Sequence, residues 1–129
     1  MADKAALEAQ LVDRARDLGP VLAGRARQAE LDRRISAETD RDFRDAGFYR
    51  ALQPARYGGM ELDYGAQTAF ARELGRSCAS SAWVGGILAC HGWVAGMFPD
   101  AAQAEIWGDN ADVAVATSFL PVGVTAERN

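Results

Sequence analysis

Ala82–Phe98 reads AWVGGILACHGWVAGMF, seventeen residues without a formal charge, and it holds the only histidine of the chain, His91. A run this long and apolar, closed by Pro99, predicts a helix rather than a strand. At 100° per residue, Trp83, Ile87, His91, Val94 and Phe98 share one face, while Gly85, Ala89, Gly92 and Gly96 share another. Helix glycines each cost about 1 kcal/mol relative to alanine, so a smooth glycine face makes sense only where another helix packs closely against it. The expectation is the central helix of a bundle. Seventeen residues is also the lower limit for a membrane span, but four glycines and a histidine interrupt the run and no basic cluster flanks it. A buried helix of a soluble fold is the better reading.

Working outward, Tyr64–Cys78 carries Ala66, Phe70 and Leu74 at helical spacing, with Asp63 as a possible cap and Ser80 or Ser81 opening the apolar helix. Gln53–Asp63 is a loop, since Pro54 and Gly58-Gly59 interrupt both periodicities. Ser36 predicts the N-cap of a helix over Ala37–Ala46, with Glu38 and Asp40 in its first turn and Gly47 as its stop, leaving Phe43 and Phe48 for the core. At the N-terminus, Leu7, Leu11, Val12, Ala15 and Leu18 predict a helix that Gly19-Pro20 ends, followed by a second helix from Val21 to about Asp32. Pro99-Asp100 starts a short helix, Ala101–Trp107, stopped by Gly108.

Beyond Asn110 the pattern changes. Val113, Val115, Thr117 and Phe119 alternate with small residues, a strand signature, and Pro121 and Gly123 turn the chain toward a partner strand at Val122, Val124 and Thr125. One and a half strands do not make a stable sheet. The fold class expected is therefore all-α, a helical domain over 1–110, with 111–129 as the beginning of a truncated second, β-domain.

The composition narrows the function classes. At 129 residues and 49% hydrophobic content the chain can bury a real core. A net charge of -4, with no run of Lys or Arg, speaks against a nucleic-acid partner. Cys78 and Cys90 show no disulfide framework and no metal-ligand spacing, which suits a reducing compartment. The charged, amphipathic first residues do not read as a signal peptide, and the protein is expected in the cytoplasm.

Candidate site residues follow from the helix. Trp83 and His91 lie two turns apart, about 12 Å along the axis, with Ile87 between them, a spacing that suits the wall of a flat aromatic pocket. The same spacing also suits a histidine satisfied by a core hydrogen bond beside a tryptophan that merely packs. Thr117-Ser118, at the strand end, offers hydroxyls and amides that serve either a ligand or a turn. Trp93 and Trp107 read as packing residues.

The ordered runs GFYRALQPARYGGMELDY, SCASSAWVGGILACHGWVAGMF, IWGDN and VAVATSFLPVGVTAE resemble the N-terminal part of the acyl-CoA dehydrogenase superfamily. Within it, the SSAW segment, the histidine eight residues after Trp83 and the TSFLPVG strand end are similar to the oxygenase components of two-component flavin monooxygenases that hydroxylate phenols. The resemblance implies an N-terminal helical domain, a middle β-domain and a C-terminal helical bundle that builds a homotetramer, so this chain would be the first third and inactive alone. It implies reduced FMN as cofactor, with FAD possible, supplied by a separate flavin reductase, and an aromatic small-molecule substrate hydroxylated through a C4a-hydroperoxyflavin. By resemblance His91 is the catalytic histidine on the substrate hydroxyl, Trp83 and Ile87 line the substrate site, Thr117 and Ser118 face substrate or flavin, and Trp83 also lies near the flavin. A neutral imidazole in an apolar wall suits a base that withdraws the phenol proton and enriches the ortho carbon.

Two other readings stand beside this one. A true acyl-CoA dehydrogenase shares the fold, but its strand end usually reads Thr-Glu-Pro where this chain has Thr117-Ser118-Phe119-Leu120-Pro121. A short non-catalytic helical interaction protein would instead expose Phe119, Leu120 and Val122 to a partner.

Overall fold

A computed structural model describes residues 3–117 and Gly123, and the described residues form helices and no strand. The helices are α1 (Lys4–Asp32), α2 (Ala37–Ala46), α3 (Tyr64–Gly75), α4 (Ala79–Ala95) and α5 (Asp100–Trp107), with 3-10 turns at Phe48–Arg50 and Ala55–Tyr57. The expected strand covers residues partly described here. Its first part, 113–117, forms no strand, and Ser118, Phe119, Leu120, Val122, Val124 and Thr125 lie outside the described residues.

Local chemistry sets most of the boundaries. Asp3 accepts a hydrogen bond from the Ala5 amide at 3.0 Å and starts α1. The Ser36 hydroxyl accepts from the Thr39 amide at 3.2 Å and starts α2, and Gly47, at φ 84°, ends it in the left-handed conformation. Two boundaries differ from expectation. Asp63 precedes α3 without a side-chain cap, and α4 begins at Ala79, after Cys78, so that Ser80 and Ser81 fall inside its first turn.

The larger correction is α1. Pro20 does not end a helix but lies within a single helix of 29 residues. Proline removes one helical hydrogen bond, a local penalty of about 3 kcal/mol, but the buried face of α1 runs through it: Leu11, Ala15, Gly19 and Leu22 are all buried. Burying each leucine recovers about 1.5–3 kcal/mol, and the Pro20 ring points to solvent. Packing across the proline outweighs its local cost.

α4 is the central helix, as its glycines predict. A methyl group at Gly85 would stand 3.2 Å from the Phe43 ring and 3.4 Å from Leu74, and one at Gly96 would stand 3.1 Å from Pro54. The glycine face therefore meets α2, α3 and the 53–59 loop at backbone distance. Beneath it, Phe43, Phe48 and Phe70 are fully buried, with Phe43 edge-on to Phe48 at 5.4 Å and Phe48 stacked on Phe70 at 4.7 Å.

Candidate functional site

α4 carries the candidate residues from full exposure to burial along one face. Trp83 is 70% exposed, Ile87 is half-buried, and His91 is 5% exposed. Trp83 and Ile87 line a groove of about 430 Å³ between α3 and α4, together with Tyr64, Gln67 and Cys90. His91 lies one residue beyond the end of that groove and faces a different neighbour.

That neighbour is the segment leaving α5. Three of its carbonyls accept hydrogen bonds from side chains: Gln53 Nε2 donates to the Ala111 carbonyl at 3.0 Å, Arg44 Nη1 to the Asp112 carbonyl at 2.7 Å, and Trp107 Nε1 to the Val113 carbonyl at 3.2 Å, while Arg50 pairs with the Asp112 carboxylate at 3.3 Å. At the end of this track the Thr117 amide donates to His91 Nδ1 at 3.1 Å. The structure thus brings His91 and Thr117 together, and Trp83 and Ile87 together, on adjoining stretches of one helix. Ser118 lies outside the described residues.

Sequence reasoning missed two contributors. Gln53 is 1% exposed and also donates to the Tyr57 carbonyl at 2.7 Å, so one amide ties the 53–59 loop to the segment that reaches the histidine. Nothing in the spacing marks it; only a glutamine beside an apolar pair, Ala51-Leu52, hints at burial. Tyr64 was readable as a helix start but not as a groove wall. Its hydroxyl donates to Cys90 Sγ at 3.2 Å, and that bond, with some burial, raises the phenol pKa above its ordinary value. Trp93 packs edge-on against the same ring at 5.2 Å.

The charged groups belong to the frame rather than to this face. Asp40 accepts from Arg44 Nε at 2.8 Å and from the Tyr49 hydroxyl at 2.9 Å. Burial works against the Asp40 carboxylate, yet these two donors outweigh it and hold its pKa below the ordinary range. Burial first, and the bond to Asp40 second, push the Tyr49 phenol pKa well up. The described residues hold no cluster of three or more His, Cys, Asp or Glu placed for a metal ion, and none of their helices is long and apolar enough to cross a membrane.

Comparison with known proteins agrees with this architecture. Residues 7–107 match the family described as acyl-CoA dehydrogenase, N-terminal domain. The chain is 34% identical over 104 residues to the oxygenase subunit HsaA, a flavin-dependent monooxygenase of Rhodococcus jostii, covering 81% of this chain and 27% of that protein. It is 34% identical over 113 residues to the oxygenase component of an FADH2-dependent resorcinol hydroxylase from a Rhizobium species, covering 88% and 28%. Among solved structures, XiaF from a Streptomyces species, in complex with FADH2 and glycerol, superposes with a TM-score of 0.83 at 31% identity, covering 90% of this chain and 29% of that one. The chain therefore spans less than a third of the length of these relatives. By the match over residues 7–107 and by its helical architecture, this chain belongs to the acyl-CoA dehydrogenase family, as its N-terminal domain.

Proposed function

We propose that the chain is the N-terminal domain of a reduced-flavin-dependent monooxygenase that hydroxylates a phenolic small molecule, with His91 at the substrate oxygen. The observation that carries this reading is the pairing of the only histidine, buried in an uncharged helix, with the backbone of the chain segment at Thr117. A core histidine needs only some polar partner. This one is met by a backbone amide delivered along a segment anchored at three points, which is more than core satisfaction requires.

The residues present fit the edge of a flavin site. The exposed Trp83 indole and the apolar groove at Ile87 suit the face of a flat ring, and the Thr117 hydroxyl and Ser118 would border it, the Thr117 amide being engaged with His91. The bound reduced flavin would supply an oxygen atom activated from dioxygen. FADH2 in the names of two relatives supports FAD as well as the FMN that the resemblance suggests. A separate reductase would deliver it, and the whole protein would work as a cytoplasmic homotetramer, with residues 1–110 as the helical domain and 111–129 opening a β-domain.

What this chain does in the reaction is orient and exclude. Trp83 and Ile87 press against substrate or flavin, the charge-free α4 keeps the wall dry, and His91 holds the phenolic oxygen so that electron density rises at the neighbouring ring carbon. The fatty-acyl alternative gains nothing from a histidine so placed. In the whole protein, His91→Ala should leave flavin oxidation by dioxygen nearly intact but divert it to hydrogen peroxide, lowering product per flavin oxidised by about tenfold or more. Unchanged coupling between flavin oxidised and product formed would refute the assignment.

A further inference from the structure

We propose that the backbone N–H of Thr117 is a positioning group that fixes the tautomer of His91, making the imidazole a hydrogen-bond donor rather than a base toward its ligand. A neutral imidazole has one nitrogen that donates and one that accepts. The Thr117 amide lies 3.1 Å from Nδ1, and an amide N–H can only donate, so Nδ1 is the acceptor and the ring proton sits on Nε2. The opposite tautomer would set two N–H groups against each other. His91 is 5% exposed, so water is poorly placed to reach Nδ1 and take over the lost bond on the imidazole side.

The amide does not reach this position by accident of a loose loop. Gln53, Arg44 and Trp107 each donate to one of three successive carbonyls, those of Ala111, Asp112 and Val113, which fixes the track four residues upstream of Thr117. Gln53 and Trp107 are themselves buried at 1% and 2% exposure, so two of the three anchors belong to the core, while Arg44 holds its carbonyl at the surface. The tautomer of His91 is thus set by the helical body through a backbone group.

The catalytic consequence rests on the proposed function; the tautomer does not. With its proton already on Nε2, His91 does not take the substrate proton. The substrate gives its proton to bulk solvent before it binds and enters as the phenolate, the O–H electron pair staying on oxygen; Nε2–H donates to that oxygen and remains intact. Donation then replaces the base role that a neutral imidazole in an apolar wall suggests, while His91 keeps its place on the substrate hydroxyl.

Because His91 is the only histidine of the 129-residue chain, the imidazole signals of a chain labelled with ¹⁵N at histidine and threonine need no residue assignment. In the neutral ring, Nε2 should carry the protonated, pyrrole-type shift and Nδ1 the unprotonated one, with a coupling across the hydrogen bond to the Thr117 amide nitrogen. Thr117→Pro, which deletes the donor, should reduce the tautomer ratio by about fivefold, the size of one ordinary net hydrogen bond. Thr117→Ala, which keeps the amide, should leave the spectrum as it is. Reversed or averaged shifts in the unmodified chain, or no coupling to Thr117, would overturn the proposal, as would a Thr117→Pro spectrum equal to the parent. If Thr117→Pro fails to fold, the coupling in the unmodified chain still decides. Less product per flavin oxidised in His91→Ala, together with averaged imidazole shifts in the unmodified chain, would sink this inference alone, and the reverse pattern would sink the proposed function alone.

Discussion

At the scale of single residues, burial and exposure separate groups that the sequence shows as equals. Trp83 and Trp107 are both tryptophans next to helix boundaries, yet one is 70% exposed and the other 2%. The difference is partnership: the Trp107 indole N–H has the Val113 carbonyl, and its ring lies 5.8 Å from Tyr57. Asp40 makes the clearest test of the frame. Its carboxyl is held below its ordinary 3.8, so the folded chain resists protonating it more than the unfolded chain does. The stability it lends is complete above about pH 5 and disappears as the pH falls through the folded-state value. Its side chain is 37% exposed, so solvent screening limits the contribution to about 0.5–1 kcal/mol. Urea denaturation should show Asp40→Asn less stable than the parent at pH 7, with the gap closing as the pH falls below the ordinary carboxylate range. A difference that does not change with pH would remove the ionic contribution.

At the scale of elements, α4 was legible because its signal is compositional. Uncharged length, glycines on one side and a closing proline all point the same way, and the structure seats Gly85 against Phe43 of α2 and Leu74 of α3 and buries Ala89. α2 was legible because Ser36 and Gly47 are chemical punctuation. α1 was misread because Gly19-Pro20 is also punctuation, and only the packing of Leu11, Ala15 and Leu22 on both sides of it, invisible in a local window, overrides the break. Glycines in different elements should therefore respond in opposite senses. Gly24, in α1, has nothing within 4 Å of an added methyl, so Gly24→Ala should stabilise by about 0.5–1 kcal/mol through helix propensity alone. Gly85→Val has to displace the fully buried Phe43 and Leu74 and should destabilise by about 1–3 kcal/mol. Thermal melts of the two variants check both signs. Equal shifts would mean that the glycine face of α4 is not close-packed.

At the scale of the whole molecule, the helical domain could be read from pattern, but the site could be read only in pieces. Sequence spacing placed Trp83, Ile87 and His91 on one helix face; it could not show that the first two open on a groove while the third turns to Thr117. That distinction depends on a contact 26 residues apart in sequence, which no periodicity encodes. The anchors that deliver Thr117 are likewise long-range, with Gln53 reaching Ala111 across 58 residues and Arg44 reaching Asp112 across 68. Gln53 also holds the Tyr57 carbonyl, so a single side chain belongs to two surface segments at once. These segments should open and close as one unit. In native-state hydrogen exchange the Thr117 amide should lose protection together with the amides of Tyr57, Gly58 and Gly59, which hydrogen-bond within the 53–59 loop, and well before the amides of α4. Gln53→Leu should uncouple the two rates. In the unmodified chain, the lifetime of the contact at His91 would thus be tied to a loop that does not touch Thr117 and reaches it only through Gln53.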